Sequence, residues 1–502
     1  MPISTQLRVV QDVAVESEVG ECSVRANAPR RELGHDLPVA SSLVTPTVEN
    51  EPSGAVRSQA YLRLLFVLLL PSALFDGYDS QLRGLLLPQI QHTFHASVAS
   101  LGVANIPIQA GQFIAFFIVR MSDRTGRKRV LTWSIVGYTL FTGLTAATWS
   151  LASFAACQFA AQAFIGAEFG VAVTVVVEEF PAEKRAKALS KLLLLGPLGA
   201  VLAGSLLAAG LAHSPLSWRA FYLVGIAPLI LIALARRWLE ETLAFQAMER
   251  ERLARSLASQ EHDVGGLGGS RRQGWRQRVG WRNVRDMLAS IFSVWRGPRG
   301  GLLLAVGTMS FLQALPTTAG VAWWTFYAEH QRHFSSGEAG KFVISAAAFG
   351  TLGYYVCGVV MERFGRRPTA IAYVIGMAIS GVVAFQSAIH LVMFISLLLA
   401  VFFGSGIGPV LSAFATEPFP TATRAQASAW VRNGFANTGS LLGPALVGIL
   451  AGEGLLGNVG NSVSLLAIAT IPIIWVVWRF LPETRHMRLD IDPGSDGDDL
   501  GA

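Results

Sequence analysis

The chain has 502 residues, of which 52% are hydrophobic and only 15% charged, with a formal net charge of +7. A soluble domain usually carries about 25% charge, so much of this chain avoids water. Three cysteines and no His/Cys cluster of metal-ligand spacing argue against a disulfide framework, a metal centre and thiol catalysis, and no P-loop or nucleophile–base constellation points to an enzyme, so no cofactor is expected.

Residues 1–59 are polar and lack the apolar core of a signal peptide, which predicts an uncleaved cytoplasmic tail. Apolar stretches of about 20 residues, the length that crosses a hydrocarbon core of roughly 30 Å, then follow one another. They are expected at 61–86, 97–120, 130–150, 152–178, 187–211 and 219–239, and after a polar stretch at 301–328, 341–361, 369–389, 391–415, 426–451 and 462–481. The prediction is an all-α polytopic membrane protein with twelve transmembrane helices. The many Gly and Pro residues suit membrane helices, where neighbours re-satisfy freed backbone groups.

Basic residues alternate between the connections. Arg124, Arg127, Lys128 and Arg129 follow the second span, Lys184, Arg185 and Lys187 the fourth, Arg236 and Arg237 the sixth, and Arg363, Arg366 and Arg367 the eighth. The intervening connections hold few, among them His92, His95, His213, Arg219, Arg332 and Lys341. This bias places the basic loops and both termini in the cytoplasm of an inner (plasma) membrane protein, and it explains the positive charge without nucleic acid as a partner.

Residues 243–299 separate the two sets of spans. They start as a charged helix, pass a flexible GGLGGS, and end with six arginines interleaved with Trp275, Trp281, Val284, Leu288, Ile291 and Trp295. Spacings of four, seven and eleven from Val284 put Leu288, Ile291 and Trp295 on one helical face. The pattern over 271–295 reads as an interfacial helix against anionic lipid, with a solvated linker as the alternative. The expected organisation is thus a tail (1–59), a six-helix unit (60–242), a central loop (243–299), a second six-helix unit (300–484) and an acidic tail (485–502).

Two motifs recur at one offset. Asp123-Arg124-Thr125-Gly126-Arg127-Lys128 is echoed by Glu362-Arg363-Phe364-Gly365-Arg366-Arg367, and Glu178-Glu179-Phe180-Pro181 with Arg185 is echoed by Glu417-Pro418-Phe419-Pro420 with Arg424. The separation is 239 residues in both, 362 against 123 and 417 against 178. A shared offset for unrelated motifs marks a tandem of two parallel six-helix bundles related by a pseudo-twofold axis, an arrangement that puts a substrate site at their interface. The glycine permits a tight reversal, and the fixed acid can pair with arginines or with a helix N-terminus. Such a relay can gate a conformational change. Simple anchoring by positive charge is the other reading.

The turn motif resembles the signature of the major facilitator superfamily. The second copy keeps the family's leading glycine at Gly358, where the first has Val119. The paired E-x-F-P-x-x-x-R runs, Trp218-Arg219, Leu239-Glu240-Glu241-Thr242 and Pro482-Glu483-Thr484 are similar to that family as well, so the likeness covers about 60–485. It implies two bundles rocking about a central site lined by the first, fourth, seventh and tenth spans. The gating set is then Asp123, Arg124, Gly126, Arg127, Glu178, Arg185, Glu362, Arg363, Gly365, Arg366, Glu417 and Arg424.

Ionisable groups at membrane depth are the other candidates, because an ionised side chain there costs roughly 2.5–3.5 kcal/mol and must face a cavity or a partner. Asp76, Asp79 and Arg83 in the first span fall within a helical sector about 60° wide. Arg83 can satisfy one carboxylate or snorkel outward, and the remaining carboxyl can take up and release a proton in each cycle. Asp76-Gly77-Tyr78-Asp79 resembles the first-span motif of proton-coupled uptake members for aromatic acids, which implies a proton-coupling role for Asp76 and Asp79. Glu168 in the fourth span is a third proton-coupling candidate, or else a paired structural acid. Relatives often carry Arg where this chain has Gln162. Arg83, Gln162, Gln313, Tyr354, Arg432, Asn433 and Asn437 are candidate substrate contacts, with Arg432 equally readable as an anchor near the cytoplasmic end. Gly196-Pro197 resembles the Gly-Pro motif of drug/proton antiporters.

The leading expectation is proton-coupled symport of a small organic solute, an acid by resemblance, through alternating access. The alternatives are a proton-driven exporter of an amphipathic compound and a receptor that keeps the fold. The expected partners are substrate, protons and the lipid bilayer.

Overall fold

A computed structural model describes residues 58–236, 239–264, 293–452 and 455–485. The expectations for the two tails and for the arginine-rich run 271–292 lie outside the described residues. Those residues are helical apart from short connections. In chain order the helices are α1 (Gln59–Leu85), α2 (Leu87–Phe94), α3 (Val98–Thr125), α4 (Arg127–Ala146), α5 (Leu151–Glu179), α6 (Ala182–Ala208), α7 (Trp218–Ala235) and α8 (Leu243–Val264). After the central loop come α9 (Ser293–Arg296), α10 (Gly300–His330), α11 (Ser336–Phe364), α12 (Arg366–Gln386), α13 (His390–Thr416), α14 (Thr421–Ala429), a π-helical turn (Trp430–Ala436), α15 (Asn437–Gly452), α16 (Val459–Ile468) and α17 (Pro472–Phe480).

Among the described residues, eleven spans are long and apolar enough to cross a membrane; α14, the π-turn and α15 contribute one of them, and α16 with α17 another. The remaining expected span is α4. Three basic residues open it and Thr132, Ser134, Thr139, Thr142 and Thr145 dilute its apolarity. It packs against α5 and α7, and one of those hydroxyls finds a partner there: Thr145 Oγ1 accepts from Gln158 Nε2 of α5 at 3.1 Å. Helix starts follow local chemistry. Ser97, Ser150, Ser335 and Asn458 cap α3, α5, α11 and α16 by accepting from a backbone N–H three residues on. Pro472 opens α17, where its missing N–H would break an uninterrupted helix.

The apolar residues divide into three clusters, and their placement sets the shape. One cluster takes residues from both halves, among them Tyr78, Leu82, Phe154 and Trp218 before the central loop and Ala319, Trp323, Phe385 and Val447 after it. The other two belong to one half each: Leu65, Leu69, Val130 and Val176 in the first, Leu303, Met309, Val410 and Phe414 in the second. The two separate clusters lie toward the end that carries the basic turns, here termed the basic end. The halves are therefore joined at the opposite end and parted at the basic end.

The joint is close because small residues meet there. A Cβ on Gly102 of α3 would lie 2.7 Å from Gly448 Cα of α15, and one on Gly340 of α11 would lie 2.8 Å from the Gly204 oxygen of α6. Asn105 Nδ2 donates across the same seam to the carbonyl oxygens of Ser440 and Leu441, at 3.4 and 3.3 Å. With no water in the hydrocarbon to drive helices together, such approach supplies the dispersion contacts that hold them.

Candidate functional site

The two repeated motifs meet in space and form one network in each half. Gly126, at φ +102°, reverses the chain between α3 and α4, and Gly365, at φ +97°, does so between α11 and α12. In the first half Arg127 of the turn pairs with Glu178 at the end of α5, at 3.0 Å, and Thr242 Oγ1 donates to the same carboxylate at 2.7 Å. In the second half Arg366 pairs with Glu417 at 2.9 Å, and Thr484 Oγ1 donates to Glu417. Glu241 and Glu483 complete the copies by accepting from backbone N–H groups at the starts of α4 and α12: Lys128 N at 3.0 Å, and Arg366 N and Arg367 N at 2.8 and 3.0 Å. Carboxylates there face the positive ends of the helix dipoles.

The glycines have a second reason beyond φ, since a Cβ on Gly126 would lie 2.4 Å from Glu241 Oε2 and one on Gly365 2.7 Å from Glu483 Oε2. Arg185 and Arg424 serve the helices that precede them, donating to Phe180 O at 3.5 Å and to Thr416 O and Phe419 O at 3.1 and 3.2 Å. Glu362 and Arg363 are exposed, Arg363 lying 5.5 Å from the Phe364 ring. The side chains of Asp123 and Arg124 lie outside the described set. The acid that pairs with the turn arginine thus comes from the other motif, and both of these pairs stay within their own half.

Between the halves, where the shared cluster gives way to the separate ones, lies a cavity of about 460 Å³. Its first-half wall is Asp76, Gly77, Ser80, Gln81 and Leu85 of α1 with Gly196, Pro197 and Ala200 of α6. The packing of these helices explains the glycines on both: a Cβ on Gly77 would lie 2.1 Å from the Gly196 oxygen, and one on Gly199 2.1 Å from the Leu74 oxygen. The crossing thus requires Gly77 and Gly199, whereas a Cβ on Gly196 would meet nothing within 4 Å, and Gly196-Pro197 contributes surface to the wall. The second-half wall comes from α10, α11, α12, α13 and α16 and is largely apolar and aromatic, with Trp324, Met377, Phe385 and Val401, relieved by Thr317, Thr351, Tyr354 and Ser405.

Several expectations change. The fourth span, α5, lines no part of this cavity; it is occupied by packing against α3 and α4. Asp76 faces the cavity, whereas Asp79 is 1% exposed and turned inside the first half. The 60° that separates them on the helix is enough to cross from the cavity wall to the bundle interior. Both Asp79 oxygens lack a hydrogen-bond partner. Tyr78 and Tyr138, which share this interior, spend their hydroxyls on the carbonyl oxygens of Phe221 and Phe75, at 2.8 and 3.1 Å. Arg83 lies within electrostatic range of Asp79 but hydrogen-bonds neither carboxylate: its Nη1 donates to Gln109 Oε1 at 3.2 Å, one to two turns nearer the joined end.

Glu168 is paired. Arg236 bonds to it and also donates from Nη1 to Leu131 O at 2.7 Å and from Nη2 to Ser72 Oγ at 2.6 Å. Arg236 is fully buried, so it is no loop anchor; one guanidinium ties α7 to α1, α4 and α5. The sequence carried a signal for it, an arginine directly after the apolar run of the sixth span while a mid-span acid lacked a counterion.

Of the other candidates, Tyr354 lines the cavity. Gln162 is buried against α3 and accepts from Gln112 Nε2 at 3.1 Å. Gln313 sits behind the wall, donating to Thr317 Oγ1 at 3.0 Å and Gly404 O at 3.3 Å. Asn437 is buried, and Arg432 and Asn433 are exposed on the π-turn. Trp295, expected against lipid, instead packs edge-on to Trp430 at 5.5 Å and against Phe435 at 6.0 Å. No group of three or more His, Cys, Asp or Glu side chains that could hold a metal occurs among the described residues.

Comparison with known proteins agrees with this arrangement. The family described as Major Facilitator Superfamily matches residues 69–350 and 308–496. A gallate transporter of Pseudomonas putida is 26% identical over 432 residues, covering 81% of this chain and 88% of that one. A cis,cis-muconate transport protein of Acinetobacter baylyi is 25% identical over 398 residues, covering 79% and 89%. Among solved structures, a D-xylose-proton symporter superposes with a TM-score of 0.64 at 17% identity, over 84% of this chain and 99% of that one.

Proposed function

The chain belongs to the major facilitator superfamily of secondary transporters, and on that premise we propose that it takes up a small organic acid together with protons by alternating access. The observation that carries this reading is the Asp76 carboxyl, the one acidic side chain among the described residues of the cavity wall, set between halves joined at one end. A cavity of about 460 Å³ falls within the range of roughly 300–1,000 Å³ common for small-molecule sites. The aromatic second-half wall suits a ring or a conjugated chain. The gallate and muconate transporters favour an acid as the solute.

Coupling follows from electrostatics. An ionised Asp76 repels an incoming carboxylate, and a protonated one does not, so proton and acid favour each other's binding; such linkage is typically about 1–3 kcal/mol. With the basic end toward the cytoplasm, the described form is open inward and poised to release both ligands. Rocking about the glycine seam would then expose Asp76 to the other side. One proton moving down 100 mV supplies roughly 2.3 kcal/mol, enough for about fiftyfold accumulation.

The test is uptake of gallate, cis,cis-muconate and benzoate by proteoliposomes under an imposed inward proton gradient. Wild-type protein should accumulate at least one of them, and Asp76→Asn should fall from accumulation to simple equilibration, a loss of up to about fiftyfold for one coupled proton at 100 mV, while keeping exchange of internal for external substrate. Accumulation by Asp76→Asn at the wild-type level would remove Asp76 from coupling.

A further inference from the structure

Among the described residues, the cavity wall contains one carboxyl group and no lysine, arginine or histidine. Protonation of Asp76 removes a repulsion but supplies no cation, and an anion that leaves water for an apolar space needs one. A cation in reach is Arg432. It lies within electrostatic range of two wall residues on opposite sides, Asp76 of α1 and Tyr354 of α11. Its guanidinium carbon stands 5.7 Å from the centroid of the Phe169 ring on α5, so a side chain of the second half reaches the first half at the parted end.

Arg432 also differs from the arginines that the two halves hold in ion pairs. Arg127, Arg236 and Arg366 are each paired with a glutamate. Arg432 is exposed and has no ion-pair partner among the described residues. The backbone that carries it is unusual too. Trp430–Ala436 is a π-turn within an otherwise α-helical span, a feature that often marks functional positions. It is buttressed on both sides: the Trp430 ring fills the space beside Gly434, where a Cβ would come within 2.8 Å of it, and Trp295 packs against Trp430 and Phe435. A widened turn held this firmly presents its arginine at a fixed place.

We propose that Arg432 is the carboxylate-capturing residue at the mouth of the cavity, presented by the π-turn and steadied over the Phe169 ring. An arginine fits this task because its planar guanidinium meets a carboxylate through two parallel N–H donors and stacks on an aromatic face. The ligand is a monocarboxylate, or one carboxylate of a larger acid. The proposal rests on the acid-transport reading above and adds the residue that selects for the charge.

The experiment compares acids with their uncharged carboxamides: gallate, benzoate and cis,cis-muconate, each beside its amide, in proteoliposomes carrying wild-type protein, Arg432→Gln or Arg432→Lys. Arg432→Gln should raise KM for the transported acid at least tenfold and leave inhibition by the amide within about twofold. Arg432→Lys should fall between, since a point charge lacks the paired donors. An unchanged KM in Arg432→Gln, with the acid still taken up by wild-type protein, would overturn this assignment alone. Equal weakening of acid and amide would also overturn it, by assigning Arg432 a structural role. Wild-type vesicles that take up none of the three acids would sink the acid reading, and this assignment with it.

Discussion

The two halves keep the same turns and have different interiors. At the basic end the network of glycine, arginine, glutamate, threonine and a second glutamate is repeated residue for residue. Inside, the likeness ends. Among the described residues the buried charged side chains are Asp79, Arg127, Glu168, Glu179 and Arg236, all in the first half, while buried polar groups of the second half are neutral. A tight reversal between packed helices has few solutions, so both copies retain it. A bundle interior tolerates many packings, so one half could keep ionisable groups and the other become an apolar wall.

The comparison can be broken most severely at Arg236. Replacing it with Met should cost about 3–5 kcal/mol, because Glu168 is left buried without its counterion, and the double change Arg236→Met with Glu168→Met should recover most of that. Unfolding in detergent measures both, and a loss below about 1 kcal/mol for the single change would mean that the pair is not formed. Next in size are the turn glycines. Gly126→Ala and Gly365→Ala each force a side chain into a region that glycine alone adopts readily, at a cost of order 1–3 kcal/mol. Equal losses in the two halves would sharpen the symmetry; a loss in one only would show that the copies have diverged in energy. The smallest effect is expected from Thr242→Val and Thr484→Val, about 1 kcal/mol each for a hydrogen bond to the relay glutamate. The first should be the larger, because α8 covers that copy, with Phe245 buried 5.5 Å from the Arg127 guanidinium.

Much of this arrangement was legible beforehand, and the misses have physical causes. The spans follow from lengths of apolar sequence, and the tandem from an offset of 239 shared by two motifs. That Arg127 meets Glu178, and Arg366 meets Glu417, does not follow from either motif alone, because 51 residues separate the partners. Arg236 looked like one more loop charge, since positive residues after an apolar run usually stay at the interface. The long arginine stem instead runs back into the bundle. Trp295 fitted a lipid-facing stripe by its spacing, but helical periodicity identifies a face and does not say whether lipid or protein covers it. For the same reason Asp76 and Asp79 looked equivalent on a helical wheel, and only the position of α6 and of the second half separated the exposed acid from the sealed one.

By itself the sequence determined what local chemistry and repetition can determine: helices long enough for a bilayer, the residues that start and reverse them, and the kinship of the two halves. The tertiary structure decided which ionisable groups share an environment, because ion pairing, sealing and exposure depend on neighbours 50 to 350 residues away along the chain. It placed Asp76 in the wall, enclosed Asp79, gave Glu168 to Arg236 and left Arg432 exposed on the π-turn. A charge in an apolar medium is governed by the few groups that touch it, and those groups are set by packing.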